Sequence, residues 1–299
     1  MYGVSCHHLI TFDSAAPGTI LRSVQVFDND SIECLDHIDV DPRSGAIYVS
    51  HFVICQMLCP PLPRAVSRLD PETGALNFVW IDPGYGLPFT AWGDFAVDPA
   101  SGEIRSPGLP IGSNVHIDVP SGALVADAPY SLLREVSALA FDAAGGAFAL
   151  AQRETSPEDF DLFRLGGSAG VPPAASGELT QLASITTGTG EPSLPSFDIS
   201  PTGAAYLLAS YWPPGSRVGE GVPSNNLLLT VDLASGAVVP LGEIASPDDS
   251  WPFYTVTGIA VAGARGAIAI PALDRAGLAL LALLLAAAGA WLLARRRAA

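Results

Sequence analysis

The sequence contains no lysine, and all fourteen of its basic residues are arginine. Against them stand 30 acidic residues, which give a formal net charge of −16 at pH 7. An acidic surface repels polyanions, which argues against a nucleic acid or an anionic membrane surface as the partner. The use of arginine alone, with abundant Ala, Gly and Pro, is typical of a GC-rich bacterial genome and indicates no mechanism.

Helical periodicity is missing everywhere except the C-terminal tail. No earlier segment repeats apolar residues every 3.6 positions, which argues against an α-helical or α/β fold. The tail is a single apolar run. Residues 276–294 carry no charge, and nineteen residues at 1.5 Å per residue span about 28 Å, which is the thickness of the hydrocarbon core of a bilayer. The sequence therefore predicts a transmembrane helix at 276–294.

Arginines fix the orientation that we expect for this helix. Arg295, Arg296 and Arg297 follow it directly, and basic residues beside a span resist translocation and stop it in the membrane. We therefore predict a basic cytoplasmic tail at 295–299. An ectodomain at 1–268 would then face outward from the inner membrane into the bacterial cell envelope.

A short motif precedes the helix. Ile270-Pro271-Ala272-Leu273, the apolar helix and the terminal arginines together resemble the Ile-Pro-Thr-Leu class of C-terminal sorting signals in Gram-negative bacteria, relatives of the Pro-Glu-Pro signals handled by exosortases. The chain departs from that class at Ala272, where Thr is usual. The resemblance implies a sorting motif and linker at 269–275, an exosortase-like processing enzyme as a partner, and release to the surface or matrix after processing. A plain single-span anchor is the alternative.

A signal peptide is also missing, although an outward-facing protein needs one. Residues 1–8 contain neither a basic region nor an apolar stretch. We expect the natural start to lie upstream of Met1. The competing interpretation is a cytosolic protein with a tail anchor, which would carry three arginines across the membrane against the usual bias.

Two types of hairpin alternate along the ectodomain. In both, an apolar strand ends in Asp or Ser, a turn with Gly follows, and a second apolar strand begins. Asp caps the turn with its own side chain, Pro presets φ, and Gly accepts the left-handed conformation. The first type occurs at 38–48, 95–104, 139–148 and 197–206, and the second type at 66–76, 115–124 and 229–239.

A pair of hairpins recurs every ~45–60 residues, which describes a four-stranded blade of a β-propeller. A fifth hairpin of the first type, from 257–261 with 266–268, has no partner near the C-terminus. The hairpin at 9–21 can supply one from the other end. We therefore predict an all-β fold, a β-propeller of five four-stranded blades closed by the N-terminal hairpin, which leaves no open sheet edge. An open twisted β-array or sandwich is the alternative.

The hairpins at 9–19, 38–48, 197–206 and 227–237 resemble successive signatures of the bacterial domain-of-unknown-function family 4394. The likeness runs from about Tyr2 to Val261. The chain departs from the family at Asp41, where Arg is usual before the turn proline, and in an insertion near Cys55. That family has no assigned activity, so the resemblance implies a propeller-like fold and export without a function.

Four cysteines, Cys6, Cys34, Cys55 and Cys59, lie in the first fifth of the chain. In an outward-facing protein an even number of cysteines favours disulfides, and four allow three connectivities. We prefer Cys6 with Cys34 and Cys55 with Cys59. A zinc site from His51, Cys55 and Cys59 is an alternative whose spacing matches no strong pattern, and free thiols are a third.

Three weaker patterns are interpreted as structural. Gly166-Gly167-Ser168-Ala169-Gly170 matches the nucleophile elbow but lacks a following helix, so we predict a loop. Asp28-Asn29-Asp30 and Glu158-Asp159-Phe160-Asp161 offer oxygen ligands for calcium without a full loop signature, so we predict solvated acidic turns.

Aromatic residues cluster in predicted connections. They could form a surface for extracellular polysaccharide, since Trp beside acidic residues suits glycan stacking, but packing between blades is the favoured interpretation. These residues are Trp80, Tyr85, Phe89, Trp92, Tyr211, Trp212, Trp251, Phe253 and Tyr254.

Two classes of function remain. The first is a non-enzymatic binding or structural module of the cell envelope or extracellular matrix. The second is a metal-dependent propeller hydrolase or lyase at the cell surface, which needs several Asp, Glu, His or Asn side chains at the central channel. Because the histidines fall at no repeating channel position, the sequence favours the first class. It indicates no catalytic, cofactor-binding or metal-ligating residue and no cofactor.

Overall fold

The fold is known from a computed structural model of the 299-residue chain. The structure describes residues 1–26, 34–52, 64–81, 94–108, 112–131, 135–153, 156–166, 173–187, 192–211, 225–245 and 256–262. All statements below concern these residues.

Twenty strands form five antiparallel sheets of four strands each. Blade 1 contains Tyr2–Ser5 (β1), His8–Asp13 (β2) and Ala16–Gln25 (β3); blade 2 contains Leu35–Val40 (β4), Ile47–Phe52 (β5), Arg64–Leu69 (β6) and Leu76–Ile81 (β7). Blade 3 contains Ala96–Val97 (β8), Ile104–Gly108 (β9), Ser113–Asp118 (β10) and Ala123–Ala126 (β11). Blade 4 contains Val136–Phe141 (β12), Ala147–Arg153 (β13), Ser156–Gly166 (β14) and Glu178–Thr186 (β15), with a 3-10 turn at Pro173–Ala175. Blade 5 contains Pro192–Ile199 (β16), Ala205–Tyr211 (β17), Asn225–Val231 (β18) and Val238–Glu243 (β19), and Gly258–Ala260 (β20) returns to blade 1.

The ring is closed by strands from both ends of the chain. In blade 1, β20 pairs antiparallel with β1, with Gly3 opposite Ile259, and β2 and β3 complete the sheet outward. The inner strands β20, β4, β8, β12 and β16 contact one another in that order around the ring. The prediction of a five-bladed propeller closed by its N-terminal strands is confirmed.

One detail of the closure differs from the prediction. The sequence assigned 266–268 to the strand beside β20, but Tyr2–Ser5 holds that place. The chain start therefore supplies three strands of blade 1 instead of two. Tyr2–Ser5 is only four residues long, and a two-residue turn, Cys6-His7, follows it. That turn contains neither the Asp nor the Gly that mark the other hairpins.

The inner strands of the blades are buried on both faces, because each blade packs between two others, whereas the outermost strands are largely exposed. On β13, Ala147 and Ala149 join the core shared with blade 3, whereas Phe148 and Leu150 join the core shared with blade 5. Period-2 alternation thus sends successive side chains into different cores. Five apolar clusters result, one at each junction between blades.

The turns have the geometry that the sequence predicts. In the first type, the Asp41 carboxylate accepts the Arg43 N–H at 2.9 Å and its carbonyl accepts the Gly45 N–H at 2.7 Å. In the second type, Asp232 does the same for Ala234 and Gly236. Gly45 and Gly236 have φ values of 68° and 72°, which is the left-handed region that glycine enters without penalty.

Turns between the third and fourth strands also touch the preceding blade. In blades 2 to 5 the turn glycine leaves so little space that an added Cβ would lie within 3 Å of a backbone oxygen of the blade before it. In blade 1 the corresponding turn, Ser14-Ala15, contains no glycine; Gly18, already within β3, is less crowded, with 3.5 Å from an added Cβ to the Glu243 oxygen. The backbone oxygens that an added Cβ would approach are those of Gln25 for Gly74, Val79 for Gly122, Pro129 for Gly177 and Ser184 for Gly236.

A disulfide joins the first two blades. Cys6, in the turn after β1, bonds to Cys34, which directly precedes β4. The backbone supports the same junction, since Leu35 N–H donates to the Cys6 carbonyl at 2.9 Å. The preferred Cys6 and Cys34 pairing is confirmed, while Cys55 and Cys59 lie outside the described residues.

The prediction of solvated turns is wrong for one of the two acidic segments. Asp159 and Asp161 lie within β14, where both are buried and Phe160 between them points into the core. Arg153 donates to Asp161 at 2.8 Å from the neighbouring strand, which compensates the buried charge. Residues 28–30 lie outside the described part of the chain.

The predicted membrane segment also lies outside the described residues, which end at 262. Within the described ranges, no helix is both long enough and apolar enough to span a bilayer.

Candidate functional site

The inner strands expose an unpaired edge toward the axis of the ring, and three aspartates satisfy backbone N–H groups there. Asp39 on β4 accepts the Val40 N–H and, from blade 3, the Val97 N–H, both at 2.6 Å. Asp198 on β16 accepts the Ile199 N–H at 2.7 Å and the Val261 N–H at 2.5 Å. Buried backbone donors need such partners, so both carboxyls link one blade to the next.

Asp94 makes the corresponding contact between blades 3 and 5. It lies just before β8, and its Oδ2 accepts the Phe197 N–H at 2.9 Å and the Ser196 hydroxyl at 2.7 Å. Ser196 Oγ in turn accepts the Ile259 N–H of blade 1 at 3.1 Å. One chain of hydrogen bonds therefore connects three blades across the axis.

A buried histidine lies beside this chain. His37 on β4 places Nδ1 3.3 Å from Asp94 Oδ1 and Nε2 3.6 Å from Asp36 Oδ2. Arg64 binds the same Asp36 oxygen at 2.9 Å. Burial by itself lowers the pKa of His37, but Asp36 and Asp94 together outweigh it and raise the pKa above its ordinary value. The sequence did not anticipate a histidine at an inner strand.

Beyond the aspartates, the end of the channel widens into a cavity of about 200 Å³. Asp39 and Asp198 belong to its lining, and both are buried. The outer rim of the cavity is exposed and is formed by the first-type turns. The turn prolines of three blades and the matching alanine of blade 4 all belong to this rim. These rim residues are Pro42, Pro99, Ala143 and Pro201.

Both aspartates at this cavity hold their protons unusually strongly. Burial, followed by the nearby Asp198 charge, raises the pKa of Asp39 well above its ordinary range. Burial also raises the pKa of Asp198, to about 7, although the Val261 and Ile199 N–H groups act in the opposite direction. Asp198 therefore exchanges its proton near neutral pH.

This exchange makes stability depend on pH. Between the ordinary Asp pKa of 3.8 and about 7, folded Asp198 keeps a proton that the unfolded chain has released. The free energy of unfolding should therefore fall as pH rises, by about 1.4 kcal/mol per pH unit from this group alone. From pH 5 to 6.5 we expect a loss of about 2 kcal/mol, measured by urea denaturation at constant ionic strength.

Asp198→Asn should reduce this slope. Asp232→Asn is the matched control, because Asp232 is an exposed turn residue whose pKa is lowered by the Ser235 N–H and which therefore titrates below this window. A stability that is constant or increases from pH 5 to 6.5 in the unmodified chain would contradict the assignment.

Many of the residues that the sequence singled out lie outside the described ranges. His51 is buried and its Nε2 lies 2.9 Å from Ser67 Oγ, while its predicted zinc partners Cys55 and Cys59 lie outside the described residues. Among the described residues, no group of three or more His, Cys, Asp or Glu side chains could hold a metal ion. Gly166 ends β14, and 167–170 are outside the described part.

The structure describes only some of the aromatic residues for which polysaccharide binding and packing between blades were the two interpretations. Trp80 packs in the core between blades 2 and 3, which confirms the favoured interpretation for this residue. Tyr211 is the last residue of β17. The other seven fall outside the described ranges, and binding to polysaccharide stays a prediction; they are Tyr85, Phe89, Trp92, Trp212, Trp251, Phe253 and Tyr254.

Sequence reasoning missed Asp39 and Asp198 as residues of the cavity. Both stand two positions before the residue that opens a first-type turn, where blades 3 and 4 have Ala96 and Ala140. A charged residue at a strand position where blades 3 and 4 have alanine was the available signal, since a charged residue in a buried strand needs a specific partner.

Comparison with known proteins identifies one segment. Residues 268–297 match a family model described as the IPTL-CTERM motif. This match contains Ile270-Pro271-Ala272-Leu273 and Arg295-Arg296-Arg297. No curated protein matches the chain.

Solved structures resemble the chain in fold. A structure of a Nidogen/Laminin complex is 10% identical with a TM-score of 0.50, and the match covers 87% of this chain and 97% of that one. TolB from Acinetobacter baumannii is 14% identical with a TM-score of 0.43; the match covers 81% of this chain but only 53%, about half, of TolB. A protein of unknown function from Bacteroides thetaiotaomicron is 9% identical with a TM-score of 0.49, covering 88% and 65%. At these identities the likeness concerns the fold alone.

Proposed function

We propose that the chain is an exported propeller protein that its C-terminal segment sorts to the cell envelope, where the ring acts as a non-enzymatic binding or display module. The match of 268–297 to the IPTL-CTERM motif carries this proposal. The motif begins within ten residues of the last strand of the ring. A complete blade set therefore precedes the sorting segment, as a displayed module requires.

Two properties of the ring support export. The disulfide between Cys6 and Cys34 is of a kind that persists in oxidising compartments. The full chain has a net charge of −16, and its acidic residues favour solubility of the ring and repel it from anionic surfaces. The buried carboxylates of Asp39 and Asp198 accept backbone N–H groups of neighbouring blades. This role of the carboxylates is structural rather than catalytic.

Sorting can be tested by fractionation. The full chain is produced behind a Sec signal peptide in two strains of a Gram-negative host, one with and one without an exosortase-like enzyme. Without the enzyme we expect the chain in the inner membrane, with the ring accessible to protease from the periplasm. With the enzyme we expect a shorter chain, cut near Ile270-Pro271-Ala272-Leu273, at the surface or in the medium.

Variants make the test specific. Deletion of 268–299 should give a soluble periplasmic ring in both strains, and Pro271→Ala should leave the chain in the membrane even with the enzyme. Pro240→Ala, at an exposed proline of β19, is the matched control and should behave like the unmodified chain. An unmodified chain that stays in the cytoplasm, or a deletion variant that fractionates like the full chain, would overturn the proposal.

A further inference from the structure

The cavity at the end of the channel has the form of a binding site for a small molecule. Its floor is buried and its rim of turn residues is open to solvent. At about 200 Å³ it is smaller than the roughly 300–1,000 Å³ of pockets that hold drug-sized ligands. The ligand must therefore be short and narrow.

Its polar groups are mainly hydrogen-bond acceptors. A carboxylate offers about four lone-pair sites, and Asp39 and Asp198 each use two of them on backbone N–H groups. Among the described residues no other donor uses the remaining sites, which can accept from a ligand in the cavity that both residues line. A ligand that binds there must bring donors of its own.

The charged groups of the cavity lining also favour a ligand that carries hydrogen-bond donors. The lining includes three carboxyl groups, Asp39, Asp142 and Asp198, against one guanidinium, that of Arg43. Arg43 is already engaged, since its Nε lies 3.3 Å from Asp41 Oδ1 and its Nη1 donates to the Ala100 carbonyl at 3.2 Å. Above the pKa of Asp198, which is about 7, the cavity therefore favours a cation over a neutral or anionic ligand.

The walls between floor and rim are apolar. Val97, Phe141, Ile199 and Val261 line the cavity together with the turn prolines. Such walls suit methylene groups, because burying them removes apolar surface from water. Phe141 is the only aromatic side chain among the described lining residues, so stacking of a sugar has little support here.

We propose that this cavity binds a primary ammonium group carried on a short alkyl chain, as in a diamine or a lysine side chain. The ammonium lies between Asp39 and Asp198 and donates to both, and the methylene groups lie against the apolar walls. This inference rests on the binding role proposed above and is independent of sorting, which fractionation measures separately.

Binding should be linked to proton release. The charged groups around the pair are Asp94 toward the axis and Asp142 and Arg43 at the rim. Because burial raises the pKa of Asp198 to about 7, the cation must displace a proton below that pH. Affinity should therefore weaken about tenfold per pH unit as pH falls below 7.

The test uses titration calorimetry of the full chain in detergent with n-pentylammonium as the probe. 1-Pentanol, of nearly the same shape but uncharged, and glucose are the comparison ligands. We expect pentylammonium to bind at pH 8 and to bind about tenfold more weakly at pH 6. Because Asp198 is half protonated at its pKa of about 7, binding should release about half a proton at pH 7 and nearly one at pH 6, counted in two buffers of different ionisation enthalpy. Pentanol and glucose should bind at least tenfold more weakly at pH 8.

Variants locate the binding. Ala143→Arg adds a positive charge at the exposed rim and should weaken binding at least tenfold, whereas Ala234→Arg adds the same charge at an exposed turn of blade 5 outside the cavity and should not. Asp198→Asn should weaken binding and reduce its pH dependence, with folding checked by circular dichroism. Equal binding of pentanol or glucose, an affinity independent of pH, or equal effects of the two arginine substitutions would overturn the proposal.

Discussion

Gly236→Ala is expected to lower the free energy of unfolding by about 2–5 kcal/mol. The left-handed conformation at φ 72° costs an alanine about 1–2 kcal/mol. The new Cβ would also lie 2.5 Å from the Ser184 oxygen and 2.8 Å from the Ala183 Cβ of blade 4. Relieving that overlap requires the two blades to separate, and overpacking of this kind costs about 1–3 kcal/mol.

Gly203→Ala is the matched control, because it lies in the other turn of the same blade. Its φ of 85° imposes a similar backbone cost, but no atom lies within 4 Å of an added Cβ. We expect a loss of about 1–2 kcal/mol. Urea denaturation of both variants measures the difference. Equal losses would show that the contact between the outer turn and the preceding blade contributes nothing to stability.

These glycines illustrate what local sequence predicts and what it does not. The Asp, Pro and Gly pattern determines each hairpin through contacts within a few residues, so the hairpins, their number and hence the five blades could be predicted from the sequence. Gly203 and Gly236 look alike in that pattern. Only the packing of one blade on another distinguishes them, and the relevant neighbour of Gly236 is about 50 residues away in the chain.

The hydrogen-bond partners of the channel aspartates could not be predicted from local sequence either. Asp39 looked like part of a turn-forming repeat, yet its carboxylate binds the Val97 N–H, 58 residues further along the chain. Asp94 reaches Phe197 over 103 residues. Such partners depend on where the ring brings inner strands together, which hydrophobic periodicity does not specify. Closure itself was predictable because a four-stranded blade that lacks strands at one terminus must find them at the other.

Replacing both Cys6 and Cys34 by Ala is expected to lower the free energy of unfolding by about 3–4 kcal/mol. The disulfide closes a loop across a sequence separation of 28 residues, and the chain-entropy relation gives about 3.6 kcal/mol for a loop of this length. The effect acts mainly on the unfolded chain, which becomes less compact without the bond. We therefore expect the denaturant dependence of the unfolding free energy to increase as well.

The single variants show whether the loss of unfolding free energy comes from the disulfide bond or from the two cysteine side chains. If the bond carries the effect, Cys6→Ala, Cys34→Ala and the double variant should lose the same free energy, because either single change already removes the crosslink. The folded ring should keep its circular dichroism spectrum, since the Cys6 carbonyl still accepts the Leu35 N–H and Thr257 Oγ1 still donates to the Leu35 carbonyl at 3.1 Å. A double variant whose loss equals the sum of the single losses, or stays below about 1 kcal/mol, would contradict a crosslink that holds the closing blade to the ring.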